Sequence, residues 1–336
     1  YNVMIDGKAY PQDATQLELV GFTAEELELI QYLPELESVR AEACSEYDLL
    51  MQLREQYPYM QLTYQIPIGG TNYAENTRQL NLSDVETEEL LQMLQYLPEL
   101  DSVTVQDPRY SEISMTDVAE KYSNVQFYWE MDVFGVHMTC DATEINLNHK
   151  QLESVKAVEL ALANFPNLER AYLGRCGLDN EELAAYRDRV RPEYKVVWNI
   201  LIGALFVDTD ETWFMPGKYD KGVTEEQAQL LKYCEEMVCI DVGHKPLETC
   251  EFVRYMPNLK YLILADTNIE DITPLETCKN LVFLELFMSF VEDYTPLLGC
   301  TALEDLNIAY TWGDPEPIKQ MTWLKRLWWN CQMDLL

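Results

Sequence analysis

A set of mostly apolar residues recurs along the last third of the chain on a fixed beat. Leu259, Leu262, Leu264, Ile269, Asp271, Pro274, Leu275 and Cys278 return 22 residues later as Leu281, Leu284, Leu286, Val291, Asp293, Pro296, Leu297 and Cys300. A third copy opens with Leu303, Leu306 and Ile308, and a fourth, one residue short, with Leu324, Leu327 and Trp329. Stepping back from Leu259 gives Met237, Ile240 and Val242 in the same roles, so five coils keep one phase. The pattern Leu-x-x-Leu-x-Leu sets its last two leucines on one face of a strand, because side chains alternate. No single coil buries its own apolar face. Stability must come from stacked neighbours.

The first two-thirds repeats over a longer unit of about 63–68 residues. Gln16 to Val20 (QLELV) returns at Gln79 to Ser83 (QLNLS) and again at Glu144 to Asn148 (EINLN). A run ending at Val39 (LIQYLPELESV) returns ending at Val103 and, degraded, at Ala171. Each long unit holds 22-residue coils plus about 19 extra residues, read as a β-hairpin because two extended runs flank Gly69-Gly70. Hairpins are expected at Gly7, Gly70, Gly135 and Gly203. Strands are expected near Leu17, Val39, Leu80, Val103, Ile145, Ala171, Trp213, Ile240, Leu262, Leu284, Leu306 and Leu327, about a dozen stacked coils. The return segments are helical where long, as in Ala24 to Leu33 with Thr23 and Glu26 forming a capping box, and turned by Pro274 where short. The reading is one continuous solenoid, with long double repeats over 1–217 and regular 22-residue repeats plus a C-terminal cap over 218–336.

Charge narrows the partners. The 336 residues carry 58 acidic against 24 basic side chains, a net charge of -34. Phosphate binding depends on lysine and arginine, so nucleic acid and anionic lipid are excluded. The longest apolar stretch, Val196 to Val207, is 12 residues long, short of the roughly 20 that span a membrane. Tyr1 falls inside a repeating unit, so sequence upstream of it, with a signal or lipid anchor, is expected. Nine cysteines show no metal-ligand spacing, and Cys278 and Cys300, at matching places, are expected to be buried free thiols.

Catalytic chemistry is not visible. His137, His149 and His244 stand alone in turns or hairpins, and neither HExxH, CxxC, GxSxG nor a P-loop occurs. Asp208 to Glu211 opens like a calcium loop but lacks its glycine and distal glutamate. With 58 carboxylates, paired acids arise by chance and support no glycosidase reading. No enzyme, metal or cofactor is therefore assigned.

The outward strand positions say more. If Leu262 and Leu264 face the core, Tyr261, Ile263 and Ala265 face out, followed by Phe283, Glu285 and Phe287, then Asp305, Asn307 and Ala309, then Arg326, Trp328 and Asn330. Tyr261, Ile263, Phe283, Phe287 and Trp328, with Glu285 and Arg326 among them, form the candidate partner-binding set. A cap lying over them is the competing expectation. Trp312, Trp323 and Trp329 are assigned to core or cap. Earlier coils, through Ser38, Arg40, Ser102, Thr104 and Arg170, present a polar face.

The stretch from Asn258 to Leu286 (NLKYLILADTNIEDITPLETCKNLVFLEL) resembles the 22-residue leucine-rich repeats of bacterial internalin-type surface proteins, clearly over 237–329 and more loosely before. That resemblance implies an α/β fold, a right-handed solenoid with a parallel sheet face, a protein partner, and a secreted or cell-surface location. It brings no catalytic residue. Thr267, Ser289 and Thr311 stand where the family places a ladder asparagine. Aromatic side chains also stack on sugars, so a glycan-binding module is the alternative function.

Overall fold

The computed structural model describes residues 1–217 and 222–329. They pack as two units, one of residues 1–143 with 156–168, the other of 144–155 with 169 onward. This division falls inside the third long repeat, whereas the sequence pattern places the change of period near 217 as an expectation.

In the first unit, Gln16–Glu18, Ser38–Ala41 and Gln61–Ile68 lie parallel, with Leu17, Val39 and Leu62 in register. Gln79–Ser83, Ser102–Gln106 and Gln126–Val133 repeat the arrangement through Leu80, Val103 and Phe127. The third strand of each set has eight residues. Its first half joins the parallel ladder; its second half folds back antiparallel onto Thr71–Ala74 or Val136–Thr139. Gly69 and Gly70 turn the first of these with φ +56 and +74, which a two-residue type I′ turn requires. Asn2–Ile5 and Lys8–Pro11 pair the same way across Asp6-Gly7.

Each long repeat therefore contains a coil strand that the sequence pattern hid. The alternation runs unbroken from Leu62 through Tyr64, Ile66 and Ile68, all buried, so ladder strand and hairpin merge into one extended run. The hairpin is not an insertion added to a coil; it is the third coil's return path. Eighteen residues separate Leu62 from Leu80, Phe127 from Ile145, and Val196 from Phe214.

The second unit begins with Glu144–Asn146, Arg170–Tyr172 and Lys195–Val197, again parallel. The apolar stretch after Val196 becomes a strand end and the hairpin Asn199–Ile202 with Leu205–Asp208. No helix among the described residues is long and apolar enough to cross a membrane. Six parallel strands follow: Trp213–Phe214, Cys239–Asp241, Tyr261–Ile263, Phe283–Glu285, Asp305–Asn307 and Arg326–Trp328. Return segments differ from coil to coil. The 25 residues between Ala171 and Val196 hold an 11-residue helix, Asn180–Val190, capped by Asp179. Two 22-residue coils of the last sheet hold 3-10 turns, Thr273–Thr277 and Thr295–Gly299, each with a proline in its first turn, whereas the coil from Leu17 to Val39, of equal length, holds the helix Ala24–Leu29.

A backbone rung locks one coil to the next. After each strand one residue adopts left-handed backbone: His244, Asp266, Met288 and Tyr310 have φ of 53 to 60°. That conformation costs roughly 1 kcal/mol for a residue bearing Cβ. It is offset because the turned N–H of His244 donates to Ala265 O at 2.7 Å, Asp266 to Phe287 O at 2.7 Å, and Met288 to Ala309 O at 3.1 Å. Asp84, Asp107 and His149 repeat the rung elsewhere. His149 and His244 are thus turn residues. Where an asparagine ladder was the family expectation, hydroxyls instead close the turn inside their own coil: Thr267 Oγ1 donates to Leu264 O and Ser289 Oγ to Leu286 O, both at 2.8 Å and both buried.

Candidate protein-binding face

Alternation on the six-stranded sheet fixes which side chains meet solvent. Phe214, Ile240, Leu262, Leu284 and Leu306 are in register and buried, and Leu327 continues their row on the last strand, where it is 41% exposed. The residues flanking them make two outward rows. One runs Trp213, Cys239, Tyr261, Phe283, Asp305, Arg326; the other runs Asp241, Ile263, Glu285, Asn307, Trp328. Adjacent strands sit about 4.8 Å apart, so residues distant in sequence become lateral neighbours.

No cap lies over this face among the described residues. Trp213 is 59% exposed, and Tyr261 and Trp328 are each 46% exposed. Ile263, Phe283, Glu285 and Phe287 are half-buried, and Arg326 is exposed. The Phe287 ring meets Tyr310 edge-on, at 5.4 Å between centroids. Tyr261 and Phe283 are register partners on neighbouring strands.

Arg326 is held rather than free. Its Nη2 lies 2.5 Å from Asp305 Oδ2, its Nε reaches the other carboxylate oxygen, and its guanidinium carbon is 6.0 Å from the centre of the Trp328 ring. The same contact lowers the Asp305 pKa and shields that carboxylate from water. Glu285 accepts from Asn307 Nδ2 at 3.2 Å. Burial, reinforced by the charge of Asp241, raises the Glu285 pKa, opposed by Asn307 and His244.

Several outward assignments need correction. Ala265 and Ala309 are buried, not exposed, because their column is pinched between coils. At Gly243, the same place one coil earlier, an added Cβ would stand 3.2 Å from Ala265 O. Asp305 points outward but lies under Arg326. The strand expected near Trp213 is Trp213–Phe214, in which Trp213 faces outward and Phe214 takes the core place opposite Ile240. Trp312 is 68% exposed rather than core, Trp329 is also exposed, and Trp323 is half-buried with Nε1 donating to Cys300 O at 3.2 Å. Asn330 and the expected cap beyond Trp329 lie outside the described residues.

Sequence reasoning also missed face residues. Trp213 was findable from the 18-residue step that carries Val196 to Phe214. Met288 and Tyr310, both about half-exposed, belong to the left-handed column that turns its side chains out.

Nothing assembles into a reactive or metal centre among the described residues. No group of three His, Cys, Asp or Glu side chains is placed to hold a metal ion. His137 lies near Glu130, and His244 Nδ1 sits 2.9 Å from Asp266 Oδ2. In the segment that opens like a calcium loop, Asp208 accepts from Asn199 Nδ2, and Asp210 is 3.2 Å from Arg170 and 3.3 Å from Lys195.

No family model matches the chain, and no curated protein matches it in sequence. Solved structures do show similarity. Internalin F of Listeria monocytogenes is 15% identical over 97% of this chain and 91% of its own, with a TM-score of 0.34. Internalin C2 of the same organism is 13% identical over 77% and 80%, at 0.30. A leucine-rich-repeat protein of Leptospira interrogans is 14% identical over 93% and 81%, at 0.29. The parallel register of the 22-residue coils, Leu262 beside Leu284 and Leu284 beside Leu306, is the repeat that resembles the internalin-type pattern in the sequence.

Proposed function

We propose that the chain is a non-enzymatic binding scaffold of a bacterial secreted or cell-surface protein, and that its parallel-sheet face holds a protein partner. Tyr261, Ile263, Phe283, Glu285, Phe287, Arg326 and Trp328 make the contact, joined by Trp213 and Tyr310. One observation carries this reading: Trp213, Tyr261 and Trp328 are left in water on a rigid hydrogen-bonded frame. Large aromatics on a fixed surface lose little entropy on binding and act as hot spots worth about 2 kcal/mol or more each.

The test uses the chain beside its Tyr261→Ala/Trp328→Ala variant, each screened against a displayed library of cell-surface proteins and a glycan array. Protein hits lost in the variant, at unchanged thermal stability, support the reading. Binding to sugars alone would transfer the face to glycan recognition, and protein hits indifferent to the variant would remove the sheet from the proposal.

A further inference from the structure

The same coils carry a second surface that the sheet does not account for. Past each left-handed residue the chain emerges before its 3-10 turn and exposes a short stretch. Asn268, Phe290 and Trp312 occupy equivalent places there, 22 residues apart. Phe290 is 55% exposed and Trp312 68%. Two adjoining hollows of about 530 and 400 Å3 share Glu270, Asp271 and Phe290 and extend to Trp312, forming one groove across successive coils.

The groove has an aromatic floor and acidic walls. Glu248, Glu270 and Glu292 stand one per coil, with Asp271 and Asp293 beside them, and no lysine, arginine or histidine lines it. Glu248, Glu270 and Glu292 form no salt bridge among the described residues. Glu248, Glu270 and Glu292 recur every 22 residues on successive coils, so their like charges share one wall and oppose each other. Charge repulsion and wetted rings both disfavour the isolated surface.

We infer that this groove docks a protein segment bearing closely spaced arginines. A guanidinium satisfies both features at once: its plane stacks on Phe290 or Trp312, while its fork donates to a carboxylate on the wall. A divalent metal uses only one of them. Asp271 and Asp293 already accept from Thr273 N at 2.7 Å and Thr295 N at 2.8 Å, which leaves fewer oxygens for an ion. An aromatic floor offers a metal no ligand.

The probe is a fluorescently labelled peptide alternating arginine with serine, titrated by anisotropy at physiological salt. Its counterpart carries neutral citrulline in place of arginine. Phe290→Ala/Trp312→Ala, which leaves net charge untouched, and Glu270→Gln/Glu292→Gln are each expected to weaken binding by about tenfold or more. Glu25→Gln/Glu28→Gln removes the same charge from the exposed helix Ala24–Leu29 in the other unit and is expected to change nothing. The sheet variant Tyr261→Ala/Trp328→Ala should bind the peptide normally, which keeps this groove distinct from the proposed partner face. Equal weakening in the Glu25/Glu28 control would reduce the effect to general charge and overturn the inference. So would an aromatic variant that binds normally, or calcium displacing the peptide as well from that variant as from the parent.

Discussion

Strand phase is the assumption on which the binding face depends, and neighbouring residues test it. Leu284 is fully buried between Leu262 and Leu306, while Phe283 beside it is half-exposed and faces out. Truncating a buried leucine removes its transfer free energy and leaves a cavity, costing about 2–5 kcal/mol. The upper half of that range is expected for Leu284→Ala, since hydrogen-bonded ladders on both sides limit collapse into the hole. Phe283→Ala forfeits burial of roughly half a ring, about 1 kcal/mol. Urea unfolding followed by far-ultraviolet circular dichroism and tryptophan fluorescence separates the two, with the transition of the second unit tracked by its tryptophans. Equal destabilisation by both substitutions would mean that Phe283 is a core residue and that the outward rows are wrongly assigned.

Other consequences are equally measurable. Burial raises the pKa of Cys278 to about 11 and of Cys300 and Cys250 to about 12. Loss of thiolate alone slows Cys278 by about 100-fold relative to an ordinary thiol, so native labelling resolved by peptide mass spectrometry should reach the part-exposed Cys140 and Cys239 before Cys278. Cys278→Ser should cost about 1–3 kcal/mol by burying a hydroxyl. Thr267→Val and Ser289→Ala each delete a buried hydrogen bond and should each cost about 1 kcal/mol in the same unfolding assay. Glu285 has a folded-state pKa raised above its unfolded value, so its ionisation disfavours the folded state once pH exceeds the ordinary glutamate range. Glu285→Gln should therefore be more stable than the parent at pH 7, and the gain should vanish as pH falls below 4 or so; a gain independent of pH would contradict this.

The repeat was legible because its periodicity is written in residues that have no other role. Leu262, Leu284 and Leu306 must be apolar wherever coils stack, so 22-residue spacing survives in the sequence. The third strand of each long repeat was not legible for the opposite reason. Leu62 to Ile68 alternates without a break, and nothing in that alternation marks where the pairing partner changes from a parallel neighbour to a hairpin. Trp213 was left out of the outward set because a large apolar residue beside a core position mimics the core residue itself. Trp312 was misassigned through the same bias. Position in the coil, rather than hydrophobicity, decided both.

The outward column shows why the fold could be read further than the function. Tyr261, Phe283, Asp305 and Arg326 share one backbone environment, with the same ladder and the same flanking leucines. Nothing in that environment demands an aromatic ring, a carboxylate or a guanidinium, so the chemistry at each place is free of the constraint that preserves the leucines. The left-handed residues and buried hydroxyls hold the frame whatever the column displays. Asp305 and Arg326 neutralise each other within it, which leaves Trp213, Tyr261, Phe283 and Trp328 as the uncommitted part of the surface. A partner is therefore specified by which positions of a fixed lattice carry unsatisfied chemistry. On this chain those positions separate into an aromatic sheet and an acidic, aromatic-floored groove, two surfaces whose ligands need not be the same molecule.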